Sequence, residues 1–310
     1  MAIRAPMMKE PEAATDVFGI TTRNVANDNK APEFRSTFPV DMAMKKWDTT
    51  DPTLIVSRLN QGKSMQTSTT SAEVNFSSAM FDYNNGWSSN ATGANTTLHS
   101  WMWKRAKGYM DVVCDTRAFT YGTLNHSLGV VPELIIKKNR SRASTLWDVM
   151  PNVSPYDYRY TFYLNDTQAI NGPSGSYWQT APTDTVFGVN YSGDGSSNGD
   201  NFIYYLFATL AGISKVGSYT GTGSDINVDC GFSAGAKFIL IKRTDATGDW
   251  YLYDTLRGIV AGADPFLKLN TTDAQNEGND GIDPLSSGFI VTSSSSNNTS
   301  GGTYLFYAIA

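Results

Sequence analysis

Short apolar runs recur along the chain and are separated by turns rich in Gly, Ser, Thr and Asn. Apolar runs of about 4–8 residues between such turns are typical of β-strands. The runs 202–208 and 304–310 are apolar on both faces, which predicts central strands that are covered on both sides. The sequence has no surplus of helix-favouring residues, so a helical bundle is excluded and we expect an all-β protein.

The order of the apolar runs repeats three times. Each repeat contains an apolar run that closes on a lysine, then a strand and turn, and finally a run that is apolar on both faces. The lysine-closed runs are 41–46, 133–138 and 237–242, the strand–turn segments are 65–72, 162–169 and 267–274, and the final runs are 98–104, 202–208 and 304–310. The second and third repeats also share an aromatic–acidic strand, at 146–149 and 251–254. This pattern indicates an internal threefold repeat in which each lysine lies where a buried strand leaves the core.

The repeat predicts the domain organisation. We expect three tandem β-units, each resembling a β-sandwich or a jelly roll, at 34–106, 107–211 and 212–310, the first being the most divergent. Residues 1–33 contain three prolines and no periodic apolar face, which predicts an extended N-terminal arm.

The arm contains one apolar run, with Val17, Phe18 and Ile20. An apolar patch in a polar terminus is a candidate for docking on a groove or an edge strand of a partner. We therefore expect these three side chains to be buried against another chain or a second copy of this one. The alternative is that they fold back on the first β-unit.

The charge and cysteine content argue against several classes of partner and cofactor. The net charge is −5, and the basic clusters 104–107 and 137–142 each follow an apolar run, so they are interpreted as solvated strand ends and no nucleic acid partner is expected. Cys114 and Cys230 lie far apart in sequence without a neighbouring histidine pair, which argues against a metal site or a disulfide scaffold. No signal peptide and no apolar stretch of ~18 residues are found, so we expect no membrane insertion.

Catalytic chemistry is hard to place on this sequence. His99 and His126 fall at strand or turn positions, and no G-x-S-x-G motif occurs. The carboxylates of the third β-unit lie mostly in turns, where Asp is favoured for the backbone. The segment 277–283 has oxygen ligands that calcium could use, but it lacks the spacing of an EF-hand and is more simply a loop. We expect no enzyme, no metal and no cofactor.

Aromatic residues of the second β-unit are candidates for glycan contact. Tyr156, Tyr158 and Tyr160 alternate, so on a strand they would share one face, and Tyr177 and Trp178 follow. The alternative for these side chains is packing between β-units or subunits, where Tyr is also favoured.

Four segments of the third β-unit, with the segment that precedes it, carry a resemblance to a known group of proteins. The segments are 242–251, 254–258, 268–274 and 298–304, and the joint is 211–223. They resemble a repeated domain of unassigned function in bacteriophage tail proteins and tail fibres. The resemblance covers the last two β-units well and the first loosely, since 54–58 replaces the aromatic–acidic strand there.

This resemblance implies a virion structural protein, assembled in the host cytoplasm and displayed on the particle as a tail fibre or adhesin. It further implies anchoring through the arm, contact with other virion proteins and homo-oligomerisation as a trimer, with a host surface glycan as a ligand. The alternatives are a polysaccharide-degrading tailspike, or a capsid decoration or head fibre protein.

Overall fold

The computed structural model describes residues 8–23, 32–89, 97–118, 120–175, 177–192 and 194–310. Within these ranges the chain is almost entirely antiparallel β-sheet, with two 3₁₀ helices at Ala14–Asp16 and Arg58–Asn60. The all-β prediction is confirmed. Among the described residues no helix is long and apolar enough to cross a membrane.

The first eight strands form one large sheet and one small sheet. They are β1 (Phe18–Thr22), β2 (Phe34–Arg35), β3 (Met42–Trp47), β4 (Leu54–Ser57), β5 (Lys63–Gln66), β6 (Val74–Asn75), β7 (Gly86–Trp87) and β8 (Leu98–Trp103). The large sheet has the order β1-β8-β3-β4-β5-β6, and β2 pairs with β7.

The next seven strands form a second pair of sheets. They are β9 (Met110–Thr116), β10 (Tyr121–Asn125), β11 (Leu134–Asn139), β12 (Trp147–Pro151), β13 (Phe162–Tyr163), β14 (Val186–Asn190) and β15 (Asn201–Phe207). The large sheet has the order β13-β12-β11-β15-β9, and β10 pairs with β14.

The last eight strands form a third pair. They are β16 (Ser214–Thr220), β17 (Ile226–Asp229), β18 (Phe238–Arg243), β19 (Trp250–Asp254), β20 (Leu267–Lys268), β21 (Ile282–Leu285), β22 (Gly288–Val291) and β23 (Thr303–Ile309). The large sheet has the order β16-β23-β18-β19-β20, and the small sheet has the order β17-β22-β21.

The three large sheets share one strand order. In each, the last strand in sequence (β8, β15 or β23) pairs between the first strand (β1, β9 or β16) and the lysine-closed strand (β3, β11 or β18). Each large sheet packs on its small sheet, and we call that pair of sheets a β-unit. The overlay of the three β-units strand for strand, which the sequence repeat implies, stays a prediction.

Alternating side chains send the two faces of each large sheet into different cores. On β18, Phe238 and Leu240 join a core shared by all three β-units, whereas Ile239 and Ile241 join the core between the two sheets of the third β-unit. Both faces of the large sheets are therefore buried, which explains why their central strands are apolar throughout.

The β-units contact one another in a closed ring, and each contact, here called a seam, carries the same backbone hydrogen bond. The bonds are Glu73 N to Arg140 O (3.0 Å), Ile170 N to Thr244 O (2.9 Å) and Gln275 N to Asp48 O (2.9 Å). The first β-unit thus contacts the second, the second contacts the third, and the third contacts the first.

The repeated lysines lie inside this ring. Lys138 Nζ donates to Thr70 O of the preceding β-unit at 3.2 Å, and Lys242 Nζ donates to Thr167 O at 3.0 Å. Lys46 donates to Asp51 O. All three lysines are buried, and carbonyl oxygens take the place of water. The interpretation of 137–142 as a solvated strand end is therefore wrong for Lys137 and Lys138, whereas Ser141 and Arg142 are exposed.

The prediction of an extended arm over 1–33 is wrong where the structure describes it. Strand β1 pairs with β8 along its whole length, so the first β-unit begins at Phe18 rather than at residue 34. Val17 and Phe18 are buried in the shared core, and Ile20 packs against it. This run has its docking partner within the same chain. Residues 1–7 and 24–31 of the predicted arm lie outside the described residues.

Candidate ligand-binding cleft

The second β-unit contains a cleft of about 480 Å³ between its large sheet and the loops that flank β14. The volume lies in the range of small-molecule sites. Its lining includes four aromatic and three charged side chains: Tyr163, Tyr177, Trp178, Phe202, Lys137, Asp148 and Asp194.

Lys137 is the central charged group of the cleft. It lies directly opposite Asp148 in the β11–β12 register, and its Nζ is 3.1 Å from Asp148 Oδ2 and 3.1 Å from Asp194 Oδ2. Burial by itself lowers the pKa of this amine, but the two carboxylates outweigh burial and raise the pKa above its ordinary value. Lys137 therefore stays charged. It is 6% exposed, whereas the side chains of the two aspartates are 24% and 20% exposed and remain open to the cleft.

The same positions in the third β-unit are uncharged. Ile241 occupies the register position of Lys137, and Tyr251, opposite it on β19, occupies that of Asp148. Ile241 lies in the core between the sheets, and Tyr251 packs on Phe266 with ring centroids 5.2 Å apart. A buried ion pair is often no more stabilising than apolar residues of similar volume. Because the fold is built here without a charged pair, the fold itself does not require the Lys137–Asp148 pair of the second β-unit.

In the first β-unit the corresponding lysine, Lys45, faces Leu54 across the strands and lies 4.4 Å from the centre of the Phe76 ring. It has no carboxylate at the position of Asp148. The arrangement of one lysine between two carboxylates is thus found, among the described parts of the three β-units, at this register position in the second one alone.

Trp178 closes one wall of the cleft. It is 2% exposed, and its Nε1 has no hydrogen-bond partner among the described residues. The backbone of Trp178 approaches Gly188 of β14 so closely that a Cβ on Gly188 would lie 2.1 Å from the Trp178 carbonyl oxygen. Glycine at position 188 is therefore what permits the loop to hold Trp178 against the sheet.

Backbone strain borders the cleft on two sides. Ser144, which lines it, has φ 62°, and Gln179, which follows Trp178, has φ 53°. These are the two non-glycine residues with positive φ among the described residues. Conformations of this kind cost free energy and concentrate at ligand-binding sites.

The cleft can therefore offer a ligand carboxylate oxygens and aromatic rings. A family model described as a domain of unknown function, DUF7483, matches residues 34–310. The chain belongs to this family. The match includes the cleft and all three large sheets except β1. A search of the curated proteins found no match.

Within the DUF7483 region the sequence-predicted aromatic residues separate into two groups. Tyr177 and Trp178 line the cleft. Tyr156, Tyr158 and Tyr160 do not, and the expectation that they alternate along a strand is wrong, because they lie in the loop between β12 and β13.

The three loop tyrosines pack within the protein instead. Tyr156 donates a hydrogen bond to Thr244 Oγ1 of the third β-unit at 2.7 Å, and Tyr160 packs edge-to-face on Tyr156. Tyr158 packs against the core between the two sheets of the second β-unit. Tyr156 is thus a seam contact, in line with the alternative of packing between β-units.

Other predicted chemistry of the DUF7483 domain lies away from the cleft. His99 Nε2 is 2.7 Å from Asp48 Oδ1 at the seam between the first and third β-units, and His126 packs on Phe187. Both cysteines are free thiols. Among the described residues, which include all of 277–283, no group of three or more His, Cys, Asp or Glu side chains is placed to hold a metal ion.

The sequence comparison missed Lys137, Asp148 and Asp194. It matched segment 146–149 with 251–254, whereas the structure aligns Trp147 with Trp250, since each lies opposite the buried lysine of its own β-unit. With this correction Asp148 aligns with Tyr251, and Lys137 aligns with Ile241. The two sequences then show a charged pair in the second β-unit where the third β-unit has an uncharged pair.

Proposed function

We propose that this chain is a structural protein of a bacteriophage virion, of tail fibre or adhesin type, and that the cleft of its second β-unit contacts a glycan on the host surface. The observation that carries the glycan role is the charged pair Lys137–Asp148, built beside Trp178 where the third β-unit has an uncharged pair. The virion role rests on the resemblance of the last two β-units to repeated domains of phage tail proteins.

The architecture supports a structural role. Three two-sheet β-units pack around a shared core, and each seam joins them backbone to backbone. The connections between consecutive β-units also repeat. An isolated antiparallel β-bridge joins Ala106 to Met110 in the first connection and Leu210 to Ser214 in the second. Such a body is suited to present a binding cleft outside a particle that is assembled in the host cytoplasm from this and other virion proteins.

The chain would attach to the particle through surfaces other than the Val17–Phe18 run, because those two side chains are buried within the chain. A homotrimer, which the tail-fibre resemblance implies, would bring together three chains that each already contain a ring of three β-units.

The test combines localisation with host binding. Cryo-electron microscopy of the virion is expected to place this chain on the tail, and the purified protein is expected to bind host surface polysaccharide. Lys137→Ile/Asp148→Tyr, which installs the pair of the third β-unit, is expected to fold and to lose this binding. The exposed Tyr121→Ala, outside the cleft, serves as the control and is expected to bind like the wild type. Density for the chain on the capsid would favour a decoration or head fibre protein instead.

A polysaccharide-degrading tailspike is the second candidate, because Asp148 and Asp194 both face the cleft and glycosidases use two carboxylates about 5–10 Å apart. Each of these carboxylates is held in an ion pair with Lys137, which favours binding over proton transfer. We expect no release of reducing ends from host polysaccharide. Release that disappears in Asp148→Asn or Asp194→Asn would make the tailspike the better proposal.

A further inference from the structure

We infer that the cleft of the second β-unit selects an uncharged sugar ring over an acidic one. The inference rests on the proposed glycan contact and specifies the class of sugar. It depends on two features of the cleft, which are its charge balance and its aromatic wall.

The charge balance disfavours an anion. Lys137 is the one cation among the described lining residues, and it is already shared by Asp148 and Asp194. Outside the lining, Arg117 lies 3.9 Å from Asp194, so that carboxylate too has its counter-charges within the protein. A uronic or sialic acid would bring its carboxylate towards two aspartates without a free cation to receive it, and like charges at such distances repel.

An uncharged sugar matches the hydrogen-bonding groups that the cleft leaves open. Carboxylates accept hydrogen bonds at two oxygens each, so Asp148 and Asp194 can receive sugar hydroxyls while they still bind Lys137.

The aromatic wall matches the shape of a pyranose. Tyr163 and Tyr177 line the cleft beside Trp178, and both are partly exposed. Burial, together with the nearby Asp148 carboxylate, raises the pKa of Tyr163 to about 12, and its neutral phenol can donate a hydrogen bond. The C–H face of a sugar packs on such rings, and its hydroxyls then reach the polar groups at the rim.

The experiment compares matched sugars on the intact protein. Saturation-transfer NMR and calorimetry would use disaccharides of glucose, galactose, mannose and N-acetylglucosamine, each against a uronic acid or sialylated counterpart. We expect at least one neutral sugar to bind at least tenfold more tightly than its acidic counterpart. Asp194→Asn, which removes one of the two negative charges of the cleft, is expected to narrow this difference, whereas Tyr121→Phe is expected to leave it unchanged.

The possible outcomes test the sugar selectivity and the proposed glycan contact separately. Tighter binding of the acidic sugars would overturn the inference and leave the glycan contact standing. Equal binding of both classes, or a difference that Asp194→Asn does not narrow in a variant with an unchanged melting temperature, would overturn it as well. Absence of binding for both classes, and for extracted host polysaccharide, would overturn the proposed function itself.

Discussion

Trp101 of the first β-unit donates its indole N–H to Asp254 Oδ2 of the third β-unit, with Nε1 and Oδ2 3.0 Å apart. Arg257 contacts the same carboxylate at 2.6 Å and lies 4.8 Å from the centre of the Trp101 ring system. All three side chains are almost fully buried. The β-units that are farthest apart in sequence are therefore joined by a charged hydrogen-bond network, which closes the ring.

Trp101→Phe is expected to destabilise the protein by about 1–3 kcal/mol, because Asp254 loses a donor that it cannot replace with water. Trp250→Phe is the matched control. Its Nε1 donates to the uncharged carbonyl oxygen of Tyr163, so we expect a smaller loss. Urea denaturation of both variants measures the difference, and an equal or larger loss for Trp250→Phe would contradict the role given to the charged network.

Phe18→Ala is expected to cost about 3–5 kcal/mol, as for a buried aromatic residue in a core. Phe18 packs on Trp103 of its own β-unit and on Phe238 of the third, with centroids 5.1 and 5.5 Å apart. Ile20→Ala, on the same strand but partly exposed, is expected to cost less. A melting temperature that Phe18→Ala leaves unchanged would restore the idea of a free docking run.

Stability is expected to rise with pH between about 8 and 10 because of the buried seam lysines. Burial lowers the pKa of Lys242 to about 8, against 10.5 for the ordinary side chain. In that window the unfolded state binds more protons than the folded state, so the free energy of unfolding increases with pH by about 1–3 kcal/mol for this lysine. Below pH 8 the amine is charged in both states and the gain is absent.

Lys242→Met removes this contribution, so the gap between wild type and variant should widen in favour of the wild type from pH 7 to pH 10. Lys237→Met, at an exposed position five residues earlier, should keep the wild-type profile. Urea denaturation at several pH values measures both. Parallel profiles for wild type and Lys242→Met would contradict the prediction.

Gly188→Ala is expected to displace the loop that holds Trp178, because the new Cβ would lie 2.1 Å from the Trp178 carbonyl oxygen and 2.6 Å from Thr180 N. We expect a loss of sugar binding of tenfold or more and a destabilisation of about 1–3 kcal/mol. Gly175→Ala, at a site in the same loop with open space around it, should retain both properties.

Sequence patterns predict the strands that pair with neighbours in the same repeat and are buried on both faces. The lysine-closed runs became β3, β11 and β18, and the closing runs became β8, β15 and β23. Strand β1 escaped detection because it is five residues long and its partner β8 lies far along the chain. Its burial depends on a pairing that no local pattern encodes.

The buried lysines and the cleft were missed for related reasons. Lys138 and Lys242 bind carbonyl oxygens that the preceding β-unit supplies, and a sequence does not show which backbone groups a seam brings near. Tyr177 and Trp178 were identified by residue type, but Lys137 was interpreted as a solvated strand end because its partners Asp148 and Asp194 come from two other segments.

On the proposed function, the difference between Lys137–Asp148 and Ile241–Tyr251 would also set the valency of the molecule. Three copies of one β-unit would present the same cleft three times, whereas the described parts of the chain have this charged pair in the second β-unit alone. Avidity for a repeating ligand then cannot arise within a chain and requires several chains side by side. The strength of attachment would scale with the number of chains on a surface, and each chain would be free to bind weakly and release quickly.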